Sequence, residues 1–246
     1  MFTYDKLIGY SETGLNGSIS PKAIVDAFQD ASALQSKSIG VGVDDDIERG
    51  RMWVLTSWQI VIDEFPEVYR TYKVGTAPYD FKGFMGYRNF AFIDEHGQMP
   101  VKANSIWAFV DINSNKPVMV DKVEADAYTI IDKLEMDYAP RKIKLPDTEP
   151  VTGQPVHIRP SDLDVHQHVN NSKYFEFAID SDILNGRSVE YYSHLKQMRA
   201  EYKIQVSIND ILTPYIYRYT QDSHDLTTVS LKNTDDKTCV IIEFTV

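Results

Sequence analysis

The order of helix-like and strand-like segments most restricts what this chain can fold into, because the same order occurs twice. In each half of the sequence, one long helical pattern is followed by a run of strand-like segments. A helix followed by consecutive strands is typical of an α+β domain, in which the helix covers one face of an antiparallel sheet. The sequence therefore predicts two such domains in tandem, and one large mixed sheet without repetition is the alternative.

The first half begins with a helix and continues as a meander of strands. In residues 20–42, Ser20 stands at the N-cap and Pro21 in the first turn, and Gly40 and Gly42 supply the stop. Between them, apolar residues recur at helical spacing at Ile24, Ala27, Phe28, Ala31 and Leu34. Strand-like runs rich in β-branched and aromatic residues follow at 51–63, 72–79, 86–94 and 101–112.

The second half repeats this order after a proline-rich segment. Residues 139–150, APRKIKLPDTEP, contain three prolines and a small basic cluster without a hydrophobic period, which indicates a linker. The predicted domains are therefore residues 1–138 and 151–246. Within the second domain we expect a strand running into a loop at 155–164, a helix at 169–186, and strands at 195–207, 213–221, 226–233 and 238–246.

Charge and composition exclude several classes of protein. The net charge of −11 disfavours a general nucleic-acid binder, because neutralising phosphates requires a basic face. The first residues resemble neither a secretory signal nor a transit peptide, and no segment approaches the length of a membrane span. The single cysteine, Cys239, suits a reducing compartment. We therefore expect a soluble cytoplasmic protein with no nucleic-acid or membrane partner.

The stretch DLDVHQHVNN, residues 162–171, concentrates polar residues before a predicted helix. Asp164, His166 and His168 are residue types that bind zinc or iron, but no further ligand stands nearby and three ligands from one five-residue stretch are sterically awkward. Asp, Asn and His are also common in loops before helices, where they cap and turn the chain. Capping explains Asn170 or Asn171 taken alone. It explains the whole polar stretch less well, because a cap uses one or two polar side chains.

The third interpretation is catalytic. The backbone N–H groups at a helix N-terminus, expected around Val169, Asn170 and Asn171, can hold an oxyanion or a polarised carbonyl. A histidine at that end stays neutral and can act as a base, and Asp164 can orient His168 or activate a water molecule. These groups suit the hydrolysis of an activated acyl group.

Other catalytic motifs are missing from the sequence. It contains no G-x-S-x-G elbow, no phosphate-binding loop and no dinucleotide fingerprint, so we expect no cofactor. Cys239 lies within the strand-like run TCVIIEF and is interpreted as a packing residue, not a nucleophile.

The motif SDLDVHQHVNNSKYFEF, residues 161–177, resembles the acyl-acyl-carrier-protein thioesterase family, whose signature reads S-D-L-D-x-N-x-H-V-N-N-x-K/R-Y. Residues 20–45, 51–63 and 105–112 also resemble the first half of that family. The resemblance implies an α+β fold of two tandem hotdog domains, each a long helix wrapped by an antiparallel β-sheet. It also implies that the second domain is catalytic and that the first shapes the acyl pocket.

Carried over by position, the resemblance makes Asp164 and His168 the catalytic pair. His166 stands where the family has Asn, and Gln205, in the strand AEYKIQVS, stands where it has a catalytic Glu. Histidine can still donate a hydrogen bond, whereas Gln can position a water molecule but cannot accept its proton. Glu201, four residues before Gln205, is a weak candidate to compensate.

The resemblance implies hydrolysis of fatty acyl thioesters of acyl carrier protein, with that carrier as the partner. A hotdog hydrolase acting on acyl-CoA is the enzyme alternative, and the two departures leave open a protein that binds acyl chains without hydrolysis. Carrier proteins are acidic, so Arg141, Lys142 and Lys144 are weak candidates for docking one, and ordinary solvated linker charges are the favoured explanation of these residues. A homodimer is compatible with the exposed edge strands of such folds.

Overall fold

The computed structural model describes residues 1–14 and 17–246 and divides them into two compact units. Unit 1 comprises Met1–Glu12 and Asp26–Ala139, and unit 2 comprises Thr13–Val25 and Pro140–Val246. The sequence predicted an uninterrupted first domain over residues 1–138. The structure instead assigns the short segment Thr13–Val25 to unit 2.

The secondary structure of the first half follows the predicted order of one helix and a meander. Its helices are α1 (Pro21–Ser38), α2 (Val43–Glu48) and α3 (Lys122–Ala127), and Tyr10–Glu12 form a 3₁₀ turn. Its strands are β1 (Phe2–Leu7), β2 (Arg51–Ile62), β3 (Thr71–Lys82), β4 (Met85–Ile93), β5 (Val101–Asp111) and β6 (Lys116–Pro117). Ser20 caps α1 as predicted, since its hydroxyl accepts the N–H of Ala23 at 3.1 Å.

The sheet of unit 1 is antiparallel, in the strand order β1-β3-β4-β5-β2 with β6 added to β5. Phe28 of α1 lies at the centre of the core of this unit. Its ring is 5.2 Å from that of Phe90, 5.3 Å from that of Phe92 and 6.0 Å from that of Trp58, measured between centroids. All four side chains are buried, so an aromatic cluster fixes the helix against the sheet.

The second half contains one long helix and a four-stranded meander extended by short strands. Its helix is α4 (Lys173–Leu184), and 3₁₀ turns lie at Pro160–Asp162 and Val189–His194. Its strands are β7 (Val151–Thr152), β8 (Val156–His157), β9 (Gln197–Tyr202), β10 (Ile211–Gln221), β11 (His224–Lys232) and β12 (Thr238–Thr245). They pair antiparallel in the order β9-β12-β11-β10-β7, and β8 also pairs with β10.

Two predicted elements of unit 2 are shorter in the structure. The helix predicted from residue 169 begins at Lys173, because Asn170 and Ser172 form a local turn in which Asn170 Oδ1 accepts both the N–H and the hydroxyl of Ser172. The strand predicted over 195–207 ends at Tyr202, because the N–H groups of Lys203 and Ile204 both donate to the carbonyl oxygen of Cys239. No helix among the described residues is both long and apolar enough to cross a membrane.

A buried ionic cluster ties the two short helices of unit 1 to β2. Arg49 donates hydrogen bonds to the carboxylates of Asp46 and Glu124, and Trp53 Nε1 donates to Glu124 Oε2 at 2.9 Å. Burial, and next the negative charge of Glu124, raises the pKa of Asp46 to about 7.

We predict that this cluster makes unit 1 less stable as the pH rises. The pKa of Asp46 is higher in the folded protein than the usual value of about 3.9, so its contribution is complete below pH about 4 and is lost as the pH passes about 7. Compared with Asp46→Asn, the wild type should lose free energy of unfolding between pH 5 and pH 8 in urea titrations. Asp44→Asn, an exposed change in the same helix, is the control, and equal pH dependence in all three proteins would contradict the prediction.

Candidate active site

The stretch that carries both histidines folds as a tight five-residue turn, Asp164–His168. The N–H of Asp164 donates to the carbonyl oxygen of His168 at 2.8 Å, and the N–H of Gln167 donates to the carbonyl oxygen of Asp164 at 3.1 Å. Asp164 Oδ1 also accepts the N–H groups of His166 at 2.8 Å and of His168 at 3.3 Å. One carboxylate oxygen therefore fixes the backbone of both histidines.

The same turn occurs at two other places in the protein. In residues 94–98, Asp94 Oδ1 accepts the N–H groups of His96 and Gln98, and the backbone hydrogen bonds Asp94–Gln98 and Gly97–Asp94 repeat the pattern. In residues 233–237, Asn233 Oδ1 accepts the N–H groups of Asp235 and Lys237 in the same way. Asp164 is thus first of all a turn residue, and a histidine at the third position of the turn, as at His96, does not by itself mark a site.

The turn at Asp164 has an unfavourable residue at its fourth position. Gln167 has φ 66°, where the corresponding residues of the other turns are Gly97 with φ 78° and Asp236 with φ 59°. Glycine adopts this left-handed conformation without steric cost, whereas a residue with a Cβ is strained there. The surrounding hydrogen bonds hold Gln167 in it.

His168 is the histidine that the structure places against a second segment. It forms an antiparallel bridge with Ser207, and the N–H of the next residue, Val169, donates to the carbonyl oxygen of Val206 at 2.9 Å. This pattern makes His168 and Ser207 a non-hydrogen-bonded pair, whose Cα atoms are about 4.5 Å apart and whose side chains share one face. His166, the third residue of the turn, forms none of the bridges found among the described residues.

Ser207 is a residue that sequence reasoning missed. Its N–H donates to Asp210 Oδ2 at 2.8 Å, which fixes the backbone opposite His168. The fragment AEYKIQVS contained a clue to Ser207, because Ser207 lies two residues after Gln205 and residues at this spacing share one face of an extended segment. A hydroxyl beside a histidine can bind the water molecule that the histidine activates.

Gln205 and Glu201 have different surroundings. Gln205 is exposed and lies after the end of β9, in the segment that pairs with the His168 turn. Glu201 is buried, accepts the N–H of Ile143 at 3.1 Å and is 3.3 Å from Lys203 Nζ. The carboxylate of Glu201 is therefore engaged in structure, and it does not share an extended strand with Gln205.

The N–H groups expected to hold an oxyanion are only partly suited to it. The N–H of Val169 donates to Val206, and the N–H of Asn170 donates to the carbonyl oxygen of Asp162 at 2.9 Å. The prediction of unpaired donors at these two residues is therefore wrong, because the chain there extends the turn instead of beginning the helix. Helix α4, which starts at Lys173, still directs its N-terminus towards this loop segment.

A buried acid secures the start of α4. Asp162, which is 1% exposed, accepts the N–H of Arg159 at 2.9 Å, and its Oδ1 is 3.4 Å from Lys173 Nζ without hydrogen-bond geometry. Burial lowers the pKa of Lys173, but the hydrogen bond and charge of Glu176 and the charge of Asp162 raise it overall. Lys173 therefore stays a cation at the helix start.

Tyrosines pack behind the turn. Tyr202 donates to the carbonyl oxygen of Asn171 at 2.9 Å, and its ring is 5.7 Å from that of Tyr174, edge to face. Burial raises the pKa of Tyr174, and the nearby charges of Cys239, Asp164 and Asp210 raise it further, so the phenol stays neutral. Burial also raises the pKa of the Cys239 thiol, which fits its interpretation as a packing residue.

No group of three His, Cys, Asp or Glu side chains among residues 1–14 and 17–246 is arranged to hold a metal ion. The turn instead pairs His168 with Ser207 across an antiparallel bridge, five residues before the start of α4 at Lys173.

Comparison of the sequence with models of known protein families identifies the family of this chain. The model of the acyl-ACP thioesterase N-terminal domain matches residues 1–129, and the model of the acyl-ACP thioesterase C-terminal domain matches residues 146–245. The chain belongs to the acyl-ACP thioesterase family. The family predicted from the 161–177 motif is thereby confirmed, and so is the α+β hotdog fold.

Individual relatives of this family member are distant. A chloroplastic acyl-[acyl-carrier-protein] hydrolase of Cuphea viscosissima is 28% identical over 187 residues, which cover 69% of this chain and 44% of the relative. The chain spans about half the length of the curated relatives it matches.

Two solved structures share the fold. An acyl-ACP thioesterase from Bacteroides thetaiotaomicron is 22% identical, with a TM-score of 0.85 over 99% of this chain and 96% of that one. The 12:0-ACP thioesterase from Umbellularia californica is 19% identical, with a TM-score of 0.83 over 99% and 95%.

We predict that the three turns contribute similarly to stability. Asp164→Ala, Asp94→Ala and Asn233→Ala each remove a side chain that accepts two backbone N–H groups, so each should lower the free energy of unfolding by about 1 kcal/mol. Chemical denaturation measures the loss, and hydrogen exchange should show faster exchange at the third and fifth amides of the altered turn. An unchanged Asp164→Ala protein beside two destabilised ones would show that Asp164 does not hold its turn.

Proposed function

We propose that this protein hydrolyses fatty acyl thioesters of acyl carrier protein and releases the free fatty acid. The observation that carries the proposal is the geometry around His168, in a chain that belongs to a family of thioesterases. Its backbone is fixed by Asp164, and it pairs across an antiparallel bridge with Ser207. The curated and solved relatives are named as hydrolases or thioesterases of acyl carrier protein substrates, which supports the substrate class.

The reaction needs a base for water and an acid for the leaving thiol. In the proposed mechanism, His168 takes a proton from water as the oxygen attacks the thioester carbonyl carbon. The tetrahedral oxyanion then collapses and breaks the carbon–sulfur bond. The departing sulfur takes the proton from the imidazolium, so that one histidine serves both steps.

Other groups have supporting roles in this proposal. Asp164 is a positioning residue that holds the histidine backbone through its Oδ1 atom. Gln205 and the Ser207 hydroxyl orient the attacking water, and His166 donates a hydrogen bond to the thioester carbonyl. With the N–H groups of Val169 and Asn170 already paired, the N-terminus of α4 stabilises the oxyanion through its positive field. The role of the first domain in shaping the acyl pocket stays a prediction.

A second function is favoured by one observation. Gln205 replaces the acid expected from the family pattern, and Glu201, the nearby carboxylate, is buried in other contacts. A chain without a second carboxylate base could bind acyl chains without hydrolysing them. Turnover decides between these two functions, and comparison of acyl carrier protein with acyl-CoA substrates decides between the two enzyme classes.

His168→Ala should lower kcat for acyl carrier protein thioesters by about 10²–10⁴-fold, because it removes the proposed base. Steady-state release of free thiol measures the loss. His96→Ala, which changes a histidine at the third position of the equivalent turn in unit 1, should leave the rate within about twofold of wild type. A His168→Ala protein that keeps the wild-type rate would refute the assignment, and a wild type without turnover would favour the binding protein.

Gln205→Glu tests the missing carboxylate. If Gln205 orients the attacking water, a carboxylate at the same place can also accept its proton, so kcat should rise and the pH–rate profile should gain a limb at acidic pH. The exposed position makes this isosteric change tolerable for the fold. A profile identical to that of the wild type would place Gln205 outside the reaction.

A further inference from the structure

We propose that a basic strip on unit 2, formed by Arg141, Lys142, Lys144 and Lys203, is the docking surface for an acidic carrier protein. This inference rests on the proposed function, because it locates the surface that holds the protein part of that substrate. The first three residues fall in the segment that the sequence predicted to be a linker. They also lie outside the matched family regions, residues 1–129 and 146–245.

The backbone of the strip is held in place. Arg199 Nη2 donates to the carbonyl oxygens of Pro140 at 2.5 Å and Lys142 at 3.3 Å, and the N–H of Ile143 donates to Glu201 Oε2 at 3.1 Å. The Ile143 side chain is 5% exposed. A segment anchored at residues 140, 142 and 143 presents its charges in a fixed arrangement, which lowers the entropic cost of binding a partner.

Three of the four cationic side chains of the strip point into solvent. Arg141, Lys142 and Lys144 are exposed, and within the described residues none of their side chains has a carboxylate partner. Lys203 Nζ is 3.3 Å from Glu201, the same carboxylate that binds Ile143, so Lys203 lies beside the other three. Like charges held together repel one another, and an acidic partner relieves this repulsion.

The strip stands out because the protein as a whole is acidic. A net charge of −11 repels an acidic carrier protein over most of the surface, so a local cluster of cations can select the orientation of approach.

The strip also adjoins the candidate active site. Val206, three residues after Lys203, accepts the N–H of Val169, the residue next to His168. Three residues span at most about 11 Å of extended chain, so a carrier docked on the strip delivers its acyl thioester close to His168.

Exposed apolar side chains lie next to the strip and on the turn itself. Ile204 and Ile208 flank the Gln205–Ser207 segment and are 39% and 37% exposed, and Val165 at the tip of the turn is 87% exposed. Protein interfaces commonly combine an apolar centre with a polar rim. The apolar residues and the cationic strip together have that composition.

The decisive experiment compares two substrates in two charge-reversed proteins. The strip variant carries Arg141→Glu, Lys142→Glu and Lys144→Glu. The control variant carries Lys82→Glu, Lys116→Glu and Lys122→Glu, three exposed cations of unit 1 that change the net charge equally. The substrates are an acyl-acyl carrier protein and the matching S-acyl-N-acetylcysteamine, which has neither phosphate nor protein.

We expect the strip variant to lose at least about tenfold in kcat/KM for the carrier substrate, mainly through KM, because steering by charge is lost. Its rate with the small thioester should match that of the control variant. The wild-type kcat/KM for the carrier substrate should fall with added salt, and the strip variant should show a weaker salt dependence. Equal carrier kcat/KM in the strip and control variants would overturn the proposal, and so would equal losses on both substrates.

A binding measurement separates this inference from the proposed function. Holo-acyl carrier protein is titrated into wild type, strip variant and control variant at low salt, which requires no turnover. Weaker binding by the strip variant alone supports the docking surface even if no thioester is hydrolysed. Equal binding by all three proteins, or none by the wild type, overturns it.

Discussion

The hydrogen bonds to Asp164 Oδ1 are the interaction on which the candidate site depends. They fix the N–H groups of His166 and His168, and the resulting turn brings His168 beside Ser207 and Val169 beside Val206. One acceptor atom that holds two backbone N–H groups fixes the turn, as the side chains of Asp94 and Asn233 do in the other two turns. The acid of this motif therefore acts on the backbone first, and its effect on the reaction passes through the histidine that it positions.

Much of the fold was predictable because its segments obey simple periodicities. The α1 helix and the strands β2, β4, β5, β10, β11 and β12 lie where apolar spacing and β-branched residues indicated them. The short helices α2 and α3 were missed, since six residues give no usable helical period. The assignment of Thr13–Val25 to unit 2 depends on contacts between residues far apart in sequence, which periodicity cannot reveal.

The sequence predicted which stretch of the chain carries the candidate site, but it did not predict how that stretch folds. The motif located Asp164, His166 and His168 together, yet it gave no indication that the helix starts only at Lys173. The difference arises because Asn170 and Ser172 satisfy each other locally, which competes with helix formation. The N–H groups of Val169 and Asn170 instead donate to the carbonyl oxygens of Val206 and Asp162, which lie outside the helix. The sequence did not indicate Ser207, because Ser207 pairs with His168 only through a bridge between two segments that are distant in sequence.

The threefold occurrence of one turn makes that turn an exchangeable unit. Residues 94–98, DEHGQ, and residues 164–168, DVHQH, have the same pattern of four hydrogen bonds within five residues. Their backbones are interchangeable in principle, while their side chains differ at the position that carries His168. Grafting the first segment onto the second place would also supply glycine where Gln167 is strained. Such a chimera keeps the backbone of the turn and lacks the imidazole of His168. It therefore separates the structural role of the turn from the reaction that the turn is proposed to support.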